Sequence, residues 1–501
     1  MRITLDLLTL LLIAAPIQAA ENPATVLVVY RTNCPDYDKD GTGDSEQIAR
    51  YYAARRGIPL DHLLGVKVDL PGGADPFDKY LTWTWDAYRN ALVKPLRAKL
   101  DAGGRTRIQY VVTTFGMPLR VQVPASQTAL SADATLARPF RISADGVHYT
   151  RYYDLPGKRR YGMEHFEAFR ARHAASDPPD DIGYLISRLD GVSVTACKSL
   201  IDGAIYADTY KLDGYAYVDT RRGVHTDEEL RAWQSSGYYF SYADIDKGVA
   251  STRLFFEAAK LKVRQQPDDE SIGDNKAGMK YTDGSPANVA PRTLAYAGWY
   301  NYGRYNSVWD WLPGSVAIDF DSASLYAHNL FMGSFDGMAL FNGASGAVGC
   351  FAEPNANGHP QPDVFFSYYT RGYTFGEAAW LSMPIRPFVD FAIGDPLMNP
   401  YGRGRSPDTG IAPPVVTVTK DGEGLRVRVV MAGKTEIARA KMVVAPIKND
   451  ALLKPPTYHD GRYQREFTLT AQLPKAEPAW VGVVVTDPAG NTARVWTEWK
   501  G

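Results

Sequence analysis

Apolar runs alternate with helix signals from Thr25 to about Tyr401, and that alternation sets the fold class. The run Thr25-Val-Leu-Val-Val-Tyr30 predicts a buried strand, Asp44-Ser45 opens a helix that continues to Arg56, and Gly57-Ile58-Pro59 stops it. His62 to Leu70 predicts a second strand, Trp83 to Leu100 a second helix and Ile108 to Thr114 a third strand. Further buried strands are expected at Gly183 to Arg188, Thr293 to Ala297, Ser315 to Phe320 and Gly346 to Cys350. Strands separated by helices imply an α/β domain built on a mostly parallel, helix-covered sheet, and such sheets place their sites at the carboxyl ends of strands. Two polar excursions interrupt the pattern, over residues 139–180 and 265–291.

Beyond Pro400-Tyr401 the helix signal stops. Residues 403–413 read as a linker rich in Gly, Pro and Arg, and residues 414–501 alternate apolar and polar positions between turns such as Asp421-Gly422 and Asp487-Pro-Ala-Gly-Asn491. That pattern predicts a small antiparallel sandwich of immunoglobulin-like type, with Thr492 to Trp499 equally able to edge a barrel. At the other end, Met1-Arg2 precedes an apolar run from Leu7 to Ala15 and small residues at Ala19-Ala20. The run is shorter than the ~20 residues of a membrane span. Residues 1–19 are therefore expected to be a signal peptide, and 20–402 the main domain of a periplasmic or extracellular protein with no transmembrane span in its mature chain.

Composition narrows the function classes. Fifty-five Lys and Arg against 56 Asp and Glu leave a net charge of −1, so no global field recruits nucleic acid. Three cysteines, Cys34, Cys197 and Cys350, are too few for a disulfide framework, and their connectivity is not legible.

Several segments occur in an order that resembles an uncharacterised bacterial secreted family associated with exosortase-carrying genomes. They include Arg56-Gly57-Ile58-Pro59, Phe115-Gly-Met-Pro118, Ser187-Arg-Leu-Asp-Gly191, Ala297-Gly-Trp-Tyr300, Glu353-Pro354 and Gly394-Asp-Pro-Leu397. The chain is more distantly similar to the gingipain-type cysteine peptidases. That resemblance implies a three-layer α/β/α caspase-like sheet, with a histidine ending one strand and a cysteine ending the next. Here those positions read Gly298-Trp299-Tyr300 and Asp321-Ser322-Ala323-Ser324, with neither residue present. Thiol attack needs a thiolate and a base, so the implied peptidase mechanism is absent from these positions. Its surviving form would pair Cys350 with His359.

Two readings follow. In the first, the chain is a non-peptidase binding or scaffold protein of the cell envelope that takes a peptide or glycan. Its ligand residues would be Asp133, Asp190, Trp299 and Tyr300, with Tyr296, Tyr302 and Tyr305 extending an aromatic wall; the structural alternatives are internal Asp190–Arg188 salt bridges with turn caps, and plain loop packing of the tyrosines. In the second, it is a secreted hydrolase. Asp321 and Glu353 end neighbouring strands, and paired carboxylates titrate apart into an acid and a base or else hold a cation. Ser322 with His328 is the other hydrolase pairing, and helix capping is the structural role open to Ser322 and Ser324. Separately, Asp36-Tyr-Asp38-Lys-Asp40-Gly41 reproduces the first half of a calcium loop. Its twelfth position is Gln47, so Asp44 and Glu46 would have to close an irregular site, and a solvated acidic loop is the alternative.

Overall fold

The computed structural model describes residues 22–500 apart from segments 70–81, 148–149, 152–182, 326–333, 403–405, 408–412, 432–436, 447–456, 473–477 and 487–491 and positions 104, 106, 125, 127–128, 238, 275, 277, 300, 302–303 and 423. The expected signal peptide, most of the 139–180 excursion and most of the 403–413 linker fall outside the described residues.

Ten strands form one sheet: β1 Val26–Arg31, β2 Leu63–Val66, β3 Tyr110–Thr114, β4 Leu185–Leu189, β5 Tyr215–Asp219, β6 Lys262–Gln266, β7 Ala290–Trp299, β8 Trp309–Phe320, β9 Gly346–Cys350 and β10 Asp390–Gly394. Their spatial order is β6-β5-β7-β8-β9-β10-β4-β3-β1-β2. Pairing is parallel from β6 to β9 and from β4 to β2. The exception is β10, which runs antiparallel to β9, entering at Asp390 opposite Cys350 and leaving at Gly394 opposite Gly346. One residue pair, Ile393 with Arg188, joins it to β4.

Strands covered on both faces must be apolar throughout, and Val26 to Val29, Val111-Val112 and Val316 to Ile318 are all buried. The helix α1, Asp44–Arg56, docks at the carboxyl ends of β1 and β3. There the Ser45 hydroxyl accepts the Arg31 N–H at 2.9 Å and bonds the Thr114 hydroxyl at 2.9 Å. Gly57 ends α1 at φ 74°, a left-handed conformation that favours glycine. At the opposite edge Arg56 reaches Asp208 in the last turn of α2, Val194–Thr209, and Asp395 just beyond β10. That ion-pair group fastens two helices and a strand exit together.

On the carboxyl edge, the segments that follow β3 and β9 both bond to the segment entering β10. Ser131 N–H donates to Phe388 O at 2.8 Å, and Phe351 N–H donates to Val389 O at 3.2 Å. Strand ends from both flanks of the sheet therefore converge, as the sequence pattern anticipates.

The structure departs from the expected elements in three ways. Trp83 belongs to a short strand, Thr82–Thr84, and the helical segment starts at Trp85 with the Thr84 hydroxyl as its cap. The strands β5, β6 and β10 are additional. The 265–291 excursion is polar in composition, yet Ile272, Met279, Tyr281 and Ala287 pack in one cluster with Tyr217 and Trp309.

After Pro413 the strands β11 Val415–Asp421, β12 Gly424–Val430, β13 Ile437–Pro446, β14 Thr457–Gln464, β15 Glu466–Gln472, β16 Ala479–Thr486 and β17 Thr492–Trp499 form two antiparallel sheets. Their orders are β11-β12-β15 and β14-β13-β16-β17. Alternate residues of both, including Val427, Val429, Leu469, Met442, Val481 and Val483, share one apolar cluster separate from that of the large sheet. No helix among the described residues is long and apolar enough to cross a membrane.

Candidate active site

The carboxyl end of β8 carries Asp319 inward and then turns sharply. Asp319 is buried, its carboxylate accepting from the Asn301 side chain at 2.8 Å and the Tyr296 hydroxyl at 3.3 Å. Its own N–H donates to Asp336 of the helix α3, Phe335–Asn342, at 2.9 Å. Burial pushes the Asp319 carboxyl up to about 6. The Asp219–Arg221 ion pair, at 2.6 Å, lies in the same buried network, with Arg221 also donating to Asn301.

Asp321, Ser322 and Ala323 form the turn itself. Ala323 has φ 58°, a left-handed conformation that costs a non-glycine residue energy and is found disproportionately at functional sites. Asp321 is 7% exposed. Burial, then the neighbouring Asp319, then Glu353 raise its carboxyl to about 8, against the opposing Ser322 backbone hydrogen bond. The Ser322 hydroxyl donates to Glu353 Oε2, and Glu353 Oε1 accepts the Asn355 N–H at 2.6 Å. Ser322 is half-buried and Glu353 exposed, so solvent reaches the pair. Gly349 of β9 makes the packing below possible, because a Cβ there would lie 2.2 Å from the Ser324 hydroxyl oxygen. Of the expected catalytic residues, then, Asp321, Ser322 and Glu353 stand on one turn and its neighbour.

Cys350 and His359 are close, with Sγ 3.7 Å from Nδ1, but both are buried. The imidazole lies against Phe320 at 4.4 Å, and burial pushes it down to about 3. Burial, then Asp390, pushes the thiol well above its ordinary range. At neutral pH this is a neutral pair with no thiolate, so it cannot start thiol attack.

The four expected ligand residues are placed differently. Asp133 and Asp190 are buried on Arg188, whose Nε is 2.7 Å from Asp133 and Nη1 3.4 Å from Asp190. Trp299 is 4% exposed, its indole N–H donating to Asp246 at 2.7 Å, and therefore offers no aromatic wall to solvent. Its ring packs against Tyr242. Tyr300, Tyr302 and His328 lie outside the described residues. Asn301, Asp336 and the pair His225–Asp246, at 2.8 Å, are site neighbours that sequence reasoning missed. They come from loops and helices distant in the chain, with no local motif to mark them.

In the acidic loop, ligand oxygens of Asp36, Asp38 and Asp40 lie within 4.8 Å of one another. Asp36 accepts the Asp40 and Gly41 N–H groups at 3.1 and 2.8 Å, while the Gln47 amide reaches Asp38 and Asp40. Asp44 accepts the Tyr37 N–H and Glu46 pairs with Arg50, so neither joins the three carboxylates.

The raised Asp321 carboxyl has a measurable consequence. The folded state binds this proton more tightly than the unfolded chain, so its stabilising contribution is complete below about pH 4 and is lost as pH rises through about 8. Asp321→Asn mimics the neutral acid and escapes that loss. In thermal melts the variant should match the parent at low pH, gain on it from about pH 4 to about 8 and hold that gain at higher pH; a pH-independent difference would contradict the assigned environment.

No family model matches the chain, and no curated protein does. Among solved structures, the hypothetical protein PH1083 from Pyrococcus horikoshii OT3 is 12% identical with a TM-score of 0.15, over 19% of this chain and 95% of that one. The superoxide reductase from Nanoarchaeum equitans is 10% identical with a TM-score of 0.15, over 17% and 91%. Likenesses this slight carry no argument about function. What the chain offers is its own geometry: a mixed α/β protein with a large, mostly parallel sheet and two antiparallel C-terminal sheets.

Proposed function

We propose that this chain is an exported protein in which a caspase-like sheet carries serine–carboxylate hydrolase chemistry instead of thiol chemistry. An immunoglobulin-like sandwich follows the sheet domain as an adhesion or spacer module. The observation that carries the reading is the Ser322 hydroxyl donating to Glu353 in a left-handed turn beside the buried Asp321. Glu353 takes the proton as Ser322 Oγ attacks a carbonyl carbon. Asp321, neutral near pH 7, gives its proton to the leaving group, and an acyl-serine ester remains. Water then attacks the ester, its proton passing to Asp321, while Glu353 returns its own proton to Ser322 and the acid leaves. The acyl donor is an ester or amide of a cell-envelope peptide or glycan.

Turnover of p-nitrophenyl acetate and of a peptide library, followed from pH 5 to 10, tests this. Activity should fall as pH rises through about 8, where Asp321 loses its proton, and Cys350→Ala should keep the parent rate. A rate unchanged to pH 10, or one abolished by Cys350→Ala in a folded protein, would overturn the proposal.

Calcium belongs to the same reading, held by Asp36, Asp38 and Asp40 and closed by the Gln47 side-chain carbonyl after an amide flip. A cation that binds only the folded state raises the melting temperature. Millimolar calcium should therefore shift the melt upward, a chelator should reverse the shift, and Asp38→Asn should remove it. A melt indifferent to calcium would leave the loop as solvated surface.

A further inference from the structure

At the edge opposite the proposed active site, beside the starts of β5 and β6 and the first halves of β7 and β8, lies a half-open cleft of about 610 Å³. That is the size of a drug-like ligand site, roughly 300–1,000 Å³. Among the described residues its lining carries four cations, Lys211, Lys260, Lys262 and Arg292, against one carboxylate, Asp213. Asp213 is already engaged: its carboxylate meets Lys262 Nζ at 2.6 Å and its carbonyl accepts from Arg292 Nε at 2.5 Å. Lys211 and Lys260 have no acidic partner among the described residues. The rest of the lining is mainly apolar, with Leu212, Leu261, Leu294 and Pro313.

Two of these cations sit on unusual backbone. Lys260 has φ 61° and Arg292 φ 52°, two of the five non-glycine left-handed residues among those described. Lys260 closes the helix Tyr242–Ala258, its N–H bonding Glu257 O, at a position where glycine is the ordinary choice. Arg292 occupies the slip in the β7–β8 register between Ala290 and Thr293, with its N–H on Asp310. The backbone of Lys211 is fixed by pairing with Ser406–Pro407. Strain and tethering thus hold exposed positive charges around one partly apolar cleft, and an anion seated between them would be attracted by all of them.

We infer that this cavity binds a phosphate monoester carried on an apolar or aromatic body, with Lys211, Lys260 and Arg292 on the phosphate and the leucines around the body. Ammonium groups suit phosphate as point charges, and the ester arrives either as a free small molecule or as a lipid headgroup. This site is independent of the Ser322 turn.

The test uses the mature full-length chain in two arms: calorimetric titration with phenyl phosphate, and flotation with phosphatidylcholine vesicles with and without phosphatidic acid. Lys211→Gln/Lys260→Gln is compared with Lys94→Gln/Lys420→Gln, which changes the net charge equally at exposed positions elsewhere, and thermal melts confirm that both variants fold. Saturable binding in either arm, weakened about tenfold or more only by the cavity variant, is the expected result. The arm that responds identifies the source of the ester. No saturable binding in either arm, or binding equally strong in the cavity variant and the control, would overturn the inference.

Discussion

Glu353→Gln should lower hydrolytic turnover by about 10²–10⁴-fold, the usual contribution of a positioned base, while the melting temperature stays near that of the parent. The amide keeps the size of the carboxylate and can still accept from Ser322, but it cannot take the proton that attack by Ser322 Oγ releases. Glu353 is exposed and bonds only the Ser322 hydroxyl and the Asn355 N–H among described partners, so little of the fold depends on its charge. Binding should change less than rate, with kcat reduced and KM nearly constant, because the lost interaction develops in the transition state. A variant with full activity would remove Glu353 from the mechanism.

The largest expected effect on stability lies at Arg188. Its side chain is fully buried and donates to Asp133 at 2.7 and 2.8 Å, to Met117 O at 2.7 Å and to Pro118 O at 3.1 Å, with Asp190 at 3.4 Å. Arg188→Ala would strand two buried carboxylates and two carbonyls without their donor. Breaking a buried pair by deleting one partner costs about 3–5 kcal/mol, out of a total stability of roughly 5–15 kcal/mol. The melt should fall by on the order of 10 °C, and Arg188→Lys, which keeps the charge but loses the planar fork, should fall in between. A variant within about 1 °C of the parent would show that these buried groups find other partners.

The same residues mark the boundary of what the sequence makes legible. Parallel strands were readable because strands buried on both faces are continuous apolar runs, as in Val26 to Val29 and Val316 to Ile318. The strand β10, Asp390–Gly394, was not, since its five residues resemble any short apolar stretch and its reversed direction is decided only by its neighbours. At the edge, β6 reads Lys262-Val-Arg-Gln-Gln266, polar enough to pass for loop.

The proximity of Asp321 and Glu353 was legible because each follows the end of one of two adjacent strands. The Asp190–Arg188 salt bridge was legible too, as the alternative to a ligand role, but the pairing of Asp133 with Arg188 and the burial of Trp299 were not. A strand-end aspartate looks alike whether it meets a ligand or an arginine 55 residues away, as Asp133 meets Arg188. Likewise Trp299 reads as an exposed aromatic until Asp246, 53 residues earlier, supplies its buried hydrogen-bond acceptor.

Whether Ser322 is an activated nucleophile can be read directly by covalent labelling, without knowledge of the substrate. The protein is treated with a fluorophosphonate at pH 7, digested and mapped by mass spectrometry. The expected result is a single phosphonylated residue, Ser322, with labelling lost in Glu353→Gln and preserved in Cys350→Ala. An unlabelled Ser322 in the folded protein, or labelling that persists unchanged in Glu353→Gln, would contradict it.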